Sequence, residues 1–246
     1  MSTNFILCEG VTDQILISYY LIHQSGWTYF KLNHSKKNIN IARINDSAIE
    51  WYSRGDNYLG IWSVGGNNFS KQLETIIERC SLGNNSINKL VVITDHDNDE
   101  AETKRPEALN AIVSSCLGKK ISPFSNGEWK KISITDDFTI KSDLETLYLL
   151  VPTSGEGALE TFALKAISEN DTYAEEAIEQ VRLFIKNFHS DKYLTHQREK
   201  IKAELSVSIS IFSPDKAFHT MDEYLKSIHW EDYKEFNIQF QELEKI

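Results

Sequence analysis

The sequence predicts an α/β fold: a central, mostly parallel sheet followed by a helical C-terminal region. Three observations carry this. Phe5 to Cys8 and Leu90 to Ile93 are short apolar runs that read as strands buried on both faces. A glycine turn and then helical periodicity follow the first run, and the same order recurs at Tyr58 to Val64, Gly65-Gly66 and Phe69 to Arg79. After Pro152 the pattern becomes a succession of amphipathic helical segments.

Taken in order, Phe5 to Cys8 is the first strand and Gly10 its turn. Asp13, Ile15, Leu16, Tyr19, Tyr20 and Ile22 then recur at helical spacing, which predicts a helix starting near Thr12, with Thr12 or Asp13 near its cap. Trp27 to Tyr52 carries a polar, basic interruption and reads as an insertion or loop. Tyr58 to Val64, YLGIWSV, is the second buried strand, and Phe69 to Arg79 its helix. Gly83 to Asn88 is a polar loop into the strand ending at Asp95. Pro106 to Leu117 reads as a helix, with Pro106 at its start. Trp129 to Ile134 and Asp137 to Ile140 read as short strands, and Leu144 to Val151 as a longer one. Beyond Pro152, Ala158 to Ile167, Thr172 to Phe188, Leu194 to Leu205, Asp215 to Ser227 and Tyr233 to Glu244 read as helices. These readings divide the chain into an α/β part, 1–151, and a helical part, 152–246, packed on it.

Composition narrows the class. The chain has 246 residues, 41% hydrophobic and 25% charged, an ordinary soluble balance. No run approaches membrane-span length, and the start lacks a basic segment and an apolar stretch long enough for a signal peptide. Cys8, Cys80 and Cys116 show no paired spacing and read as reduced thiols of a cytoplasmic protein. The formal net charge of −10 argues against a simple nucleic-acid binder with a basic face. The one basic concentration runs from Arg182 to Lys202, where Lys192, Arg198 and Lys200 are candidate contacts to a nucleic-acid backbone, or else a solvated helix face.

Both buried strands end in carboxylates: Glu9-Gly10-Val11-Thr12-Asp13 after the first, Asp95-His96-Asp97 after the other, with Asp99 beyond. Ligands of open α/β sheets sit at the carboxyl ends of strands. If these strands are neighbours, Glu9, Asp95 and Asp97 converge. Clustered carboxylates repel one another unless a cation is present, and oxygen ligands suit magnesium or manganese. Asp95 and Asp97, two residues apart, lie on one side, and His96 points the other way.

At these residues the sequence resembles the Toprim domain, in which a strand ending in E-G-x-x-D precedes one ending in D-x-D. The resemblance covers roughly the first half of the chain and implies a Rossmann-like catalytic core. It implies that Glu9 is a general acid/base or metal ligand, and that Asp95 and Asp97 hold a Mg²⁺ or Mn²⁺ ion. Asp13 is either a further ligand or a cap on the helix macrodipole. Asp99 is either an outer ligand or part of an acidic loop that follows the strand. Ser154 to Phe162, SGEGALETF, resembles a segment of OLD-type phage-defence nucleases that supplies a carboxylate for a second metal, here Glu160. The same resemblance makes Lys216 the candidate for stabilising phosphate charge.

The implied function is a metal-dependent endonuclease acting on DNA or RNA, an effector in anti-phage defence beside an ATPase partner. A homodimer is open. The alternative is a non-catalytic module binding nucleotide or phosphate as a regulatory subunit. A generic α/β protein with chance acids is a third reading.

Overall fold

The computed structural model describes residues 2–29, 48–65, 69–81, 87–96, 101–135, 141–153, 155, 157–190, 192–216 and 221–246. Strands are β1 (Ser2–Cys8), β2 (Thr28–Tyr29), β3 (Ile49–Arg54), β4 (Asn57–Ser63), β5 (Ile87–Asp95), β6 (Trp129–Thr135) and β7 (Lys141–Val151). Helices are α1 (Val11–Ser25), α2 (Phe69–Ser81), α3 (Ala101–Leu117), α4 (Leu159–Asn170), α5 (Thr172–Asn187), α6 (Gln197–Phe212), α7 (Met221–Ser227) and α8 (Lys234–Phe240).

The strands form one seven-stranded sheet in the order β2-β3-β4-β1-β5-β7-β6. Its middle is parallel: β1 pairs with β4 and β5, and β5 with β7. The flanking pairs β2–β3, β3–β4 and β6–β7 are antiparallel. The expected α/β class with a mostly parallel sheet is therefore the observed one.

β1 shows why its sequence becomes a central strand. Alternation sends Phe5 and Leu7 to one face and Ile6 and Cys8 to the other. Both faces are covered, so all these positions are apolar. Phe5 and Leu7 join a core with Leu73, Ile76 and Ile77 of α2 and Leu109 and Val113 of α3. Ile6 and Cys8 join a second core with Leu16, Ile17 and Tyr20 of α1. That second core also takes in Leu159 and Phe162 of α4, Ile178 of α5, Leu205 of α6 and Phe236 and Phe240 of α8. The C-terminal helices thus cover one face of the sheet together with α1.

Several element bounds differ from the sequence-based expectation. α3 begins at Ala101, five residues before the expected start, and holds Pro106 inside it. Ala101 and Pro106 are buried with Leu109 and Val113, so packing extends the helix through a residue that removes one of its hydrogen bonds. β7 begins at Lys141, earlier than the apolar run beginning at Leu144, because pairing with β6 continues to Thr135↔Lys141. α6 begins at Gln197 rather than Leu194. The expected helix over 215–227 resolves into a 3-10 turn, Pro214–Lys216, and α7. The expected strand at 137–140 lies outside the described residues.

Gly60 in β4 is required by a close approach. A Cβ there would lie 2.8 Å from Phe5 Cε1 and 3.2 Å from Ile49 Cγ2. Overpacking of this kind costs about 1–3 kcal/mol. Gly60→Ala should therefore lower the thermal unfolding midpoint by several degrees; an unchanged midpoint in calorimetry would show that β1 and β4 do not pack this closely.

Candidate active site

Because β1 and β5 are adjacent and parallel, their carboxyl ends place Glu9 beside Asp95. The Asp95 N–H donates to Glu9 Oε1 at 3.3 Å. Asp13 lies in the first turn of α1, where its Oδ2 accepts the Gly10 N–H at 2.6 Å. The capping role weighed for Asp13 is thus present, in a carboxylate that is also buried. Glu160 lies in the first turn of α4, and the N–H of Leu159 donates to Asp95 Oδ1 at 3.4 Å. Gly157, just before α4, adopts φ 151°, and a Cβ there would sit 3.0 Å from Thr161 Cβ.

Glu9, Asp13, Asp95 and Glu160 are all buried, between 4% and 9% exposed. Burial, with the nearby Asp13, Glu9 and Glu160 charges, pushes the Asp95 carboxyl up to about 8, against the Arg198 guanidinium that lowers it. Burial also pushes Asp13 up to about 7, aided by Glu160 and Glu9 and opposed by the Gly10 hydrogen bond and Arg198. The electrostatics therefore link all these carboxylates, including Glu160 from the C-terminal region.

Two arginines face the cluster. Arg198, in the first turn of α6, reaches Glu9 Oε2 at 3.4 Å and Asp95 Oδ2 at 3.5 Å. Arg105 of α3 reaches Glu9 Oε1 at 3.7 Å. Arg198 was expected on a basic stripe with Lys192 and Lys200; instead it enters the acidic site. Lys192 lies in the preceding loop with its ammonium 5.0 Å from the Tyr193 ring centroid. Lys200 is two residues from Arg198 on α6, a spacing that turns the side chains to different sides. Lys216 closes the 3-10 turn after α6. Asp97 and Asp99 lie outside the described residues, as do Ser154 and Glu156 of the segment before Glu160. His96 is buried, with Nδ1 3.2 Å from the Pro152 carbonyl oxygen and Nε2 3.7 Å from Glu102. Arg105 was not foreseen: it falls in a charged stretch, Glu102 to Glu107, with no local sign that one side chain reaches Glu9.

The donor chemistry fits a hard divalent cation, since the cluster is all oxygen, buried and mutually repelling. Its present arrangement does not converge on one point: among the described residues no group of three His, Cys, Asp or Glu side chains is placed to hold a metal ion. The Arg198 guanidinium supplies the positive charge between Glu9 and Asp95.

Fold and site together define an α/β protein with a buried acidic site at the carboxyl ends of its central parallel strands. The chain belongs to the family described as protein of unknown function DUF3226, which matches residues 3–241. A solved structure, that of the hypothetical protein PH0156 from Pyrococcus horikoshii OT3, is similar at 15% identity and a TM-score of 0.44, over 99% of this chain and 100% of that one. No curated protein matches the chain. Among the described residues no helix is long and apolar enough to cross a membrane.

An aspartate whose folded pKa lies above its unfolded value binds its proton more tightly in the fold. Its contribution is complete below the unfolded value of 3.8 and is lost as pH rises through about 8 for Asp95. In metal-free buffer, the unfolding midpoint of Asp95→Asn relative to wild type should therefore climb between pH 4 and pH 8. A difference that is flat with pH would mean that Asp95 titrates as an ordinary carboxyl.

Proposed function

We propose that the chain is a metal-dependent, Toprim-like nuclease that hydrolyses phosphodiester bonds of DNA or RNA. The observation that carries the reading is the gathering of buried Glu9, Asp13, Asp95 and Glu160 with Arg198 and Arg105 at one edge of the sheet. Buried carboxylates pushed above their usual range are a mark of functional sites, and the arginine forks match the geometry of phosphate oxygens.

In this reading Glu9, Asp13, Asp95 and Glu160 are the residues that hold Mg²⁺ or Mn²⁺, with Asp97 and Asp99 as further ligands. When bound, the cation supplies Lewis-acid polarisation of a phosphoryl oxygen and lowers the pKa of water. Glu9 Oε1 accepts a proton from the attacking water. The Arg198 guanidinium exchanges its carboxylate partners for the scissile phosphate, the part that the sequence had suggested for Lys216. Its 49% side-chain exposure leaves it accessible to a strand. The N-terminus of α4, whose Leu159 N–H already meets Asp95, adds positive potential for the charge developing there. An ATPase partner and a role in anti-phage defence belong to the same proposal and rest on the resemblance to OLD-type nucleases; a cytoplasmic location belongs to it too and rests on Cys8, Cys80 and Cys116, which show no paired spacing.

One observation favours the second reading, a regulatory module that binds nucleotide or phosphate without cleaving it: the arginines already neutralise Glu9 and Asp95. Turnover separates the two. With manganese, the protein should nick or degrade plasmid, single-stranded DNA or RNA, and Glu9→Gln should slow this by about 10²–10⁴-fold at an unchanged circular-dichroism spectrum. Substrates retained intact but bound by the wild type would favour the module, and full cleavage by folded Glu9→Gln would remove Glu9 from the chemistry.

A further inference from the structure

Arg105 and Arg198 reach the same glutamate from opposite faces of the sheet. α3, which carries Arg105, packs through Leu109 and Val113 on the face that holds Phe5 and Leu7. α6, which carries Arg198, packs through Leu205 and Ile209 on the face that holds Ile6 and Cys8. Both side chains turn over the carboxyl ends of the central strands. There Arg105 Nη2 lies 3.7 Å from Glu9 Oε1, and Arg198 Nη1 lies 3.4 Å from Glu9 Oε2. One carboxylate thus stands between two guanidinium groups.

The two contacts are not equivalent. Arg198 also extends Nη2 to Asp95 Oδ2 at 3.5 Å, so both prongs of its fork lie over the Glu9–Asp95 pair. Arg105 meets the other oxygen of Glu9, on the opposite side of that carboxylate. An oxyanion seated on the Arg198 fork therefore leaves a separate place for negative charge beside Arg105. The two side chains are 49% and 40% exposed, within reach of a ligand lying across the end of the sheet.

A ligand that satisfies both carries negative charge at two points set apart along its length. A chain of phosphodiesters does this, and a lone phosphate does not. With a net charge of −10 the protein offers a polyanion little general attraction, so holding a strand depends on local contacts such as these.

We infer that Arg198 and Arg105 bind neighbouring phosphates of one polynucleotide strand, which crosses the end of the sheet from the α6 side to the α3 side. Arg198 takes the phosphate over Glu9 and Asp95, and Arg105 takes the next one along. This names the substrate of the site proposed above as a strand of at least two phosphates rather than a mononucleotide. It rests on that reading for the class of ligand, not for cleavage.

Fluorescence anisotropy of a labelled oligothymidylate over a salt series, in chelator and in the Glu9→Gln background, tests it. Glu9→Gln removes the carboxylate that both guanidinium groups face, so it should bind the strand more tightly than the wild type. Each phosphate contact to a single strand contributes about 0.7 to the slope of log affinity against log salt. Arg105→Gln and Arg198→Gln, each added to Glu9→Gln at an unchanged circular-dichroism spectrum, should lower that slope by about 0.7, and together by about 1.4. Lys200→Gln removes the same charge from a different side of α6 and should leave the slope as it is. Inorganic phosphate, used as competitor, should lose affinity with Arg198→Gln and keep it with Arg105→Gln. A slope unmoved by Arg105→Gln, an equal fall with Lys200→Gln, a phosphate affinity that also falls with Arg105→Gln, or no strand binding by Glu9→Gln overturns the inference. Failure of the nuclease reading looks different: the strand then binds with these slopes, and the wild type with manganese leaves it intact.

Discussion

Burying like charges together is the constraint on which the rest of this structure depends. Glu9 and Asp95 sit at the ends of adjacent parallel strands, both almost fully removed from water, with Asp13 and Glu160 close enough to raise Asp95. Such a cluster opposes folding unless protons, cations or hydrogen-bond donors compensate it. The structure uses several of these devices: backbone N–H groups from Gly10, Asp95 and Leu159, and guanidinium groups from Arg105 and Arg198. An arrangement so costly has no role in a sheet edge serving packing alone, where an asparagine or threonine would suffice.

The compensation explains why the C-terminal helices belong to the same unit as the sheet. Arg198 comes from α6 and Glu160 from α4, and both helices reach the site because their apolar faces share a core with Ile6, Cys8 and α1. Loss of that packing would remove one carboxylate and the cation bridging two others. Packing and electrostatics are therefore joined through the same helices.

The parts of this site carried by local pattern were legible in the sequence. β1 and β5 are apolar runs with acids at their ends, and strands buried on both faces read clearly because no alternation is needed. Their adjacency, on which the meeting of Glu9 and Asp95 depends, was a condition that the sheet order satisfies. What escaped was non-local. Arg198 looked like one of several cations on a helix, since nothing in its neighbours encodes a contact with residues nearly the whole chain away. Arg105 was hidden by the proline that displaced the expected start of α3. The early start of β7 was masked by polar residues that pair with β6 at its exposed end.

The central proposal is that the buried carboxylates form a site for a divalent cation, for which the Arg198 guanidinium, beside Glu9 and Asp95, competes. Manganese titration by isothermal calorimetry, on wild type, Asp95→Ala and Arg198→Gln, addresses it without a choice of substrate or partner. The account predicts binding by the wild type, none by Asp95→Ala, and tighter binding by Arg198→Gln, whose carboxylates no longer hold a competing guanidinium. No heat of binding in either wild type or Arg198→Gln would contradict it, leaving the carboxylates as partners of the arginines alone.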